Sequence, residues 1–181
     1  TTMQGVLHAL HALHQVGFMH RDVKPENVVF ATPERKHAVL CDLGSAARTP
    51  SAATAGTATH SYVTTRFYRA PEMVQRTSIY SVYDERVDSW AAGCVAFECG
   101  AGRPLFPAKD EADLLLRMCA TLGSPPPSLS RFPSSPWASS SSLPQSWPAR
   151  SCFTAFTAAG VMTPPPGLVS LVDALVQWDP A

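Results

Sequence analysis

Apolar positions along the chain fall into a few short periodic runs. Met3, Leu7, Leu10 and His14 recur at three- and four-residue spacing, with Val6 and Leu13 alongside. That spacing predicts a helix over 3–16, ended by Gly17. Val28-Val29-Phe30 and His37-Ala38-Val39-Leu40-Cys41 are β-type runs around a turn-like Thr32-Pro33-Glu34-Arg35, so a small hairpin is expected near 28–41. Residues 44–61 are rich in Ala, Thr and Ser with no clear period and are expected to form a mobile loop. From Glu85 the helical period returns. Val87, Trp90, Ala91, Cys94 and Val95 share one face and their neighbours are mostly small or apolar, which predicts a buried central helix over about 85–100. Two more helices are expected. One spans 110–121, with Leu114, Leu115, Met118 and Leu122 inward, and one spans 167–177, with Leu168, Leu171, Val172, Leu175 and Val176 inward.

Between these last two helices the composition shifts. Residues 124–151 hold 11 Ser and 7 Pro in 28 positions, which cannot build a packed core and favours an extended or disordered surface insert. Trp137 and Trp147 could pin it to the body.

Charge narrows the field. The 181 residues carry 14 Lys+Arg against 14 Asp+Glu, a formal net charge of zero, so the electrostatic basis for a nucleic-acid or membrane-surface binder is missing. No apolar run approaches the ~20 residues of a spanning helix. The five cysteines form no C-x-x-C pair. Reduced thiols in an intracellular protein, in cytoplasm or nucleus, are the simplest reading. His8, His11 and His14 sit three residues apart, but no Cys or carboxylate pattern accompanies them, and an amphipathic helix surface explains them better than a metal.

The chemistry lies in His20-Arg21-Asp22-Val23-Lys24-Pro25-Glu26-Asn27, which fits H-R-D-x-x-x-x-N. Asp42-Leu43-Gly44 follows twenty residues after Asp22, and Ala70-Pro71-Glu72 follows that. A lone Asp on a loop is far more often a turn former than a catalyst. The joint order and spacing are what carry weight. The sequence thereby resembles the eukaryotic protein kinases over essentially its whole length. Tyr62-Val63-Thr64-Thr65-Arg66-Phe67-Tyr68-Arg69-Ala70-Pro71-Glu72, Asp88-Ser89-Trp90-Ala91-Ala92-Gly93-Cys94, Arg103-Pro104-Leu105-Phe106-Pro107 and Leu122-Gly123-Ser124-Pro125-Pro126 resemble segments of the CMGC group. That group contains the cyclin-dependent, mitogen-activated, glycogen-synthase and cyclin-dependent-like kinases.

The resemblance implies a mainly α fold, the large C-terminal lobe of a kinase, with a small β-hairpin near the catalytic loop. It implies ATP and Mg²⁺ as cofactors. Its assignments are Asp22 as proton acceptor for the substrate hydroxyl, Lys24 on the γ-phosphate, Asn27 and Asp42 as Mg²⁺ ligands, and Gly44 as the turn that aims Asp42. Asp88 is expected to bond the catalytic-loop backbone, and Glu72 to support the fold. Tyr62 is expected to be a phosphorylation site received by Arg66 and Arg69, with Thr65 and Arg66 flooring a pocket that favours Pro. Protein substrates are implied, and an upstream activating kinase or a cyclin-like partner is compatible; nucleic acid and membrane are not expected.

Departures from the group pattern occur. His60 stands at the usual phosphothreonine position. Ala47 replaces a common basic residue, with Arg48 one place later, so Arg21 would lack its usual phosphate partner or take one from Thr59 or Ser61. Leu43 stands where Phe is commoner. Within these residues no G-x-G-x-x-G precedes His20. The expectation is therefore a C-terminal lobe over 1–181, the insert at 124–151 included, from an active serine/threonine kinase. A non-catalytic binding or scaffold module is the alternative.

Overall fold

A computed structural model of the chain describes residues 2–31, 37–50, 65–74, 84–126, 148 and 151–178. Helix α1, Thr2–Gln15, buries Met3, Val6 and Leu10 on one side. Gly17 ends it with a left-handed φ of 76° and donates its N–H to the His14 carbonyl at 2.9 Å. The chain then turns into β1, Phe18–Met19, and passes through the 3₁₀ turn Pro25–Asn27 into β2, Val28–Phe30. β2 pairs antiparallel with β3, Ala38–Leu40, with Val29 opposite Val39. This is the expected hairpin. Its inner side rests on α1, where a Cβ at Gly5 would collide with the Ala38 carbonyl, so only glycine admits this approach.

The expected mobile loop at 44–61 is ordered where it begins. Leu43–Ser45 is a 3₁₀ turn, and β4, Ala47–Arg48, pairs antiparallel with β1. Arg48 also lies over the Phe18 ring at 5.0 Å. A strand of two residues has no period, so composition alone misled here. The rest of that loop falls outside the described residues.

After the 3₁₀ turn Arg66–Tyr68 and the short α2, Pro71–Val74, comes the central helix α3, Arg86–Ala101. Its residues 87, 88 and 90–97 are buried, and Gly102 closes it in the left-handed region. Trp90 stacks on Phe106 with centroids 5.8 Å apart. Helix α4, Glu111–Leu122, begins at Asp110, whose side chain accepts from the Asp113 N–H. It buries Leu114, Leu115, Met118 and Cys119, whereas Leu122 is only half-buried.

Helix α5, Cys152–Ala158, has no counterpart in the sequence reading. Its apolar pair Cys152 and Phe156 spans a single turn, too little to show a period. It packs Phe156 on Phe97 of α3, centroids 4.5 Å apart. Helix α6, Pro166–Leu175, lies against α3 and buries Val172, with Val176 buried just beyond. A Cβ at Gly93 would meet Val176 and Leu175 at 2.5 and 2.8 Å, so α6 sits as close to α3 as glycine allows. Leu168, Leu171 and Leu175, expected inward, are half-buried. Most of the Ser/Pro insert, with Trp137 and Trp147, falls outside the described residues.

The architecture is mainly helical, two small antiparallel pairs aside. No helix among the described residues is long and apolar enough to cross a membrane.

Candidate active site

The segment 20–27 leaves β1 and enters β2, so both ends of the loop are held by strands. Two non-glycine residues among the described ones have positive φ, Arg21 at 67° and Asp42 at 65°. Such backbone costs about 1–3 kcal/mol each and persists only where surroundings impose it. At Arg21 the constraint is Asp88. This carboxylate, 1% exposed on α3, accepts the His20 N–H on Oδ2 and the Arg21 N–H on Oδ1, both at 2.7 Å. Arg21 Nε donates to the Ser45 carbonyl at 2.6 Å. At Asp42 the N–H of Gly44 donates to Oδ1 at 3.1 Å, closing a tight turn.

His20 is fully buried and links the two strained points. Its Nδ1 accepts the Asp22 N–H at 3.3 Å, and its Nε2 donates to the Cys41 carbonyl at 3.1 Å. A ring that accepts at one nitrogen and donates at the other is neutral with its proton on Nε2.

Asp22 is buried, 6% exposed. Its Oδ2 receives Lys24 Nζ at 2.7 Å and Asn27 Nδ2 at 3.1 Å. Its Oδ1 receives no hydrogen bond from the described residues. The carboxylate is thus fixed through one oxygen and left with lone pairs on the other, the arrangement a positioned proton acceptor needs. Lys24 has its pKa raised, chiefly by the hydrogen bond to Asp22 and against the effect of burial, so it remains a cation at neutral pH.

Asn27 Nδ2 also donates to the Asp22 carbonyl at 2.8 Å, so its amide oxygen is the part left for a ligand. The Cys41 N–H donates to the Asn27 carbonyl at 2.9 Å, which ties the segment carrying Asp42 alongside Asn27. One amide oxygen and one exposed carboxylate are hard donors. They fit Mg²⁺, which takes one or two protein oxygens and completes its shell with phosphates and water. No group of three His, Cys, Asp or Glu suited to a metal occurs among the described residues.

Farther along, Thr65 is half-buried at the start of its 3₁₀ turn. Arg66 Nη1 donates to the Lys109 carbonyl at 2.6 Å, and Arg69 Nη1 pairs with Glu111 Oε1 at 3.1 Å. Both guanidinium groups are therefore engaged by the start of α4. Glu72 is half-buried in the first turn of α2. Tyr62, Thr59, His60 and Ser61 lie outside the described residues.

Two contacts were not anticipated from sequence. Tyr68 donates its hydroxyl to Glu98 Oε2 at 2.8 Å, joining residues thirty apart. His14, expected on a helix surface with His8 and His11, instead places Nε2 at 2.8 Å from Asp88 Oδ2; only the other two are exposed. The signal was available in outline, since His14 falls on the face of Leu7 and Leu10.

Residues 1–181 match the protein kinase domain family from end to end. The chain belongs to the protein kinases, in the CMGC group. This kinase chain is 34% identical over 182 residues to rat serine/threonine-protein kinase ICK, covering 98% of the chain and 26% of that relative. It is 37% identical over 126 residues to human dual specificity tyrosine-phosphorylation-regulated kinase 3, covering 70% and 20%. It is 41% identical over 120 residues to cyclin-dependent kinase F-4 of Oryza sativa subsp. japonica, covering 66% and 24%. The chain thus spans about a quarter of the length of the relatives it matches. Protein kinases generally use ATP and Mg²⁺.

Proposed function

We propose that this chain is the large lobe of a serine/threonine protein kinase that transfers the γ-phosphoryl of ATP to Ser/Thr hydroxyls of proteins. The observation carrying this reading is Asp22, held through Oδ2 by Lys24 and Asn27 with Oδ1 open. In such transfer the protein supplies mainly position and charge. Asp22 Oδ1 orients the substrate hydroxyl and takes its proton. Lys24 steadies Asp22 and would reach the γ-phosphoryl oxygens of bound ATP. Asn27 and Asp42 would hold Mg²⁺, which when bound neutralises phosphate charge.

Four apolar side chains beside this site, Val29, Phe30, Val39 and Leu43, are 38–59% exposed. Val29 and Val39 face each other across the hairpin, and an exposed apolar pair of this kind suits a covering partner. A small lobe from elsewhere in a longer chain, bringing the rest of the nucleotide site, would cover this pair. The free thiols suit an intracellular setting. A Pro-directed preference and an activating phosphate on Tyr62 complete the proposal, with Arg66 and Arg69 receiving the phosphate and Thr65 and Arg66 flooring the pocket.

The test is γ-phosphoryl transfer from ATP to paired peptides by the full-length kinase. Faster transfer to Ser-Pro than to Ser-Ala supports the proposal. Equal rates remove the Pro preference, and no transfer to either removes the kinase reading.

A further inference from the structure

We infer that Ser124 is a phosphate acceptor for a second copy of this kinase. This rests on the Pro-directed reading above. Among the described residues three Ser/Thr-Pro steps occur, Thr49-Pro50, Ser124-Pro125 and Thr163-Pro164. Thr49 is half-buried, and its N–H donates to the Gly17 carbonyl at 2.9 Å, which holds it against the chain entering β1. Thr163 is exposed, but Pro164 is buried, so a pocket that reads Pro cannot close on it. Of the three, Ser124 is the exposed acceptor whose following proline also keeps part of its surface open, as does Pro126.

Backbone shape favours the same residue. A proline disfavours the helical region for the residue before it and fixes its own φ, so residues 124–126 leave α4 as irregular chain biased to the extended form. Little conformational freedom is then lost on entering a substrate groove. The step is also anchored from behind. The Gly123 N–H donates to the Cys119 carbonyl at 2.9 Å, and the Gly123 carbonyl accepts from Trp178 Nε1 at 3.2 Å.

This anchoring decides which copy acts. The start of α4 is bonded to the segment carrying Arg66 and Arg69, through the Lys109 carbonyl and Glu111. Ser124 follows the opposite end of this 12-residue helix, about 18 Å farther on at about 1.5 Å per residue. Fixed to the body there, it does not swing round to the Asp22 of its own chain. In transfer between copies, Ser124 Oγ bonds to the γ-phosphorus of ATP while the bond from that phosphorus to the bridging β–γ oxygen breaks. ADP leaves, and the hydroxyl proton passes to Asp22 of the acting copy.

The experiment mixes full-length wild-type kinase with an excess of tagged full-length Asp22→Asn acceptor, ATP and Mg²⁺, and assays a Ser-Pro peptide alongside. Mass spectrometry locates the phosphate on the tagged chain. Ser124 of the acceptor should be labelled at least about tenfold faster than Thr49 or Thr163, the lower end of what one pocket contact discriminates. Pro125→Ala in the acceptor should slow the labelling by a similar factor, and the acceptor incubated alone should stay unlabelled. Phosphate on Ser124 of the wild-type chain with none on the acceptor would mean transfer within one chain and would overturn the inference. Labelling indifferent to Pro125→Ala, or an unlabelled Ser124 while the peptide is phosphorylated, would overturn it as well. If neither peptide nor acceptor takes phosphate, the kinase reading falls and the inference falls with it.

Discussion

The Asn27 amide is bonded to Asp22 twice, Nδ2 donating to the carbonyl at 2.8 Å and to Oδ2 at 3.1 Å. The five-residue spacing thus fixes a carboxylate through a neighbour whose other end stays free. Asn27→Asp would add a metal ligand yet replace the donor with a second carboxylate facing the first. Two like charges at that separation oppose each other. The loss should cost about 1–3 kcal/mol in unfolding free energy and reduce turnover together. Wild-type stability with retained turnover would show that the amide donor is not needed.

Asp42 has no bond to Asp22; its assigned task is the metal. Asp42→Asn should raise the Mg²⁺ concentration for half-maximal activity and weaken Mg·ATP binding, while the fold melts near the wild-type temperature. The Gly44 N–H can still donate to an amide oxygen. An unchanged Mg²⁺ titration would reject the ligand role.

Alkaline pH should destabilise the molecule. Burial pushes the Cys94, Cys119 and Cys152 thiols above their ordinary 9.0, Cys119 to about 12. Burial first, then the bond to Glu98, raises the Tyr68 phenol well above its ordinary 10.0. A group whose folded pKa is raised keeps its proton in the folded state after the unfolded chain has lost it. Stability is therefore complete below about pH 8.5 and lost as pH rises towards the folded values. The melting temperature should fall steadily above that pH, and less steeply in Cys119→Ala. A melting temperature flat from about pH 8.5 to 10.5 would contradict this burial pattern.

Much of the site was legible in the linear sequence because the catalytic chemistry requires fixed spacings. Asp88 stood out as a charge on an otherwise apolar helix, and the hairpin followed from two β-type runs. Other features depend on contacts across the chain and leave no periodic trace. The two-residue strand at Ala47–Arg48 exists only because β1 lies beside it. The bond between Tyr68 and Glu98 joins separate elements. His14 was hidden by its regular spacing from His8 and His11, which suggested three equivalent surface groups. The free oxygen of Asp22 is a matter of rotamer and cannot be read from residue type.

Tyr62 offers a test of regulation. A phosphate adds about −1.5 to −2 charge and strong acceptor oxygens, which suit guanidinium groups. Arg66 and Arg69 are already bonded to the Lys109 carbonyl and to Glu111, so a phosphate has to compete for them. Tyr62→Phe in the full-length kinase should lower activity on a Pro-containing peptide, with phosphate detected on Tyr62 of the wild type by mass spectrometry. Unchanged activity would reject the switch.

If Asp22 takes the substrate proton during phosphoryl transfer, steady-state turnover of Asp22→Asn in the full-length kinase with ATP, Mg²⁺ and a serine peptide shows it. The kcat should fall about 10²- to 10⁴-fold while the KM for ATP stays close to wild type, since proton acceptance is removed and no nucleotide contact is lost. Turnover near the wild-type value would contradict it.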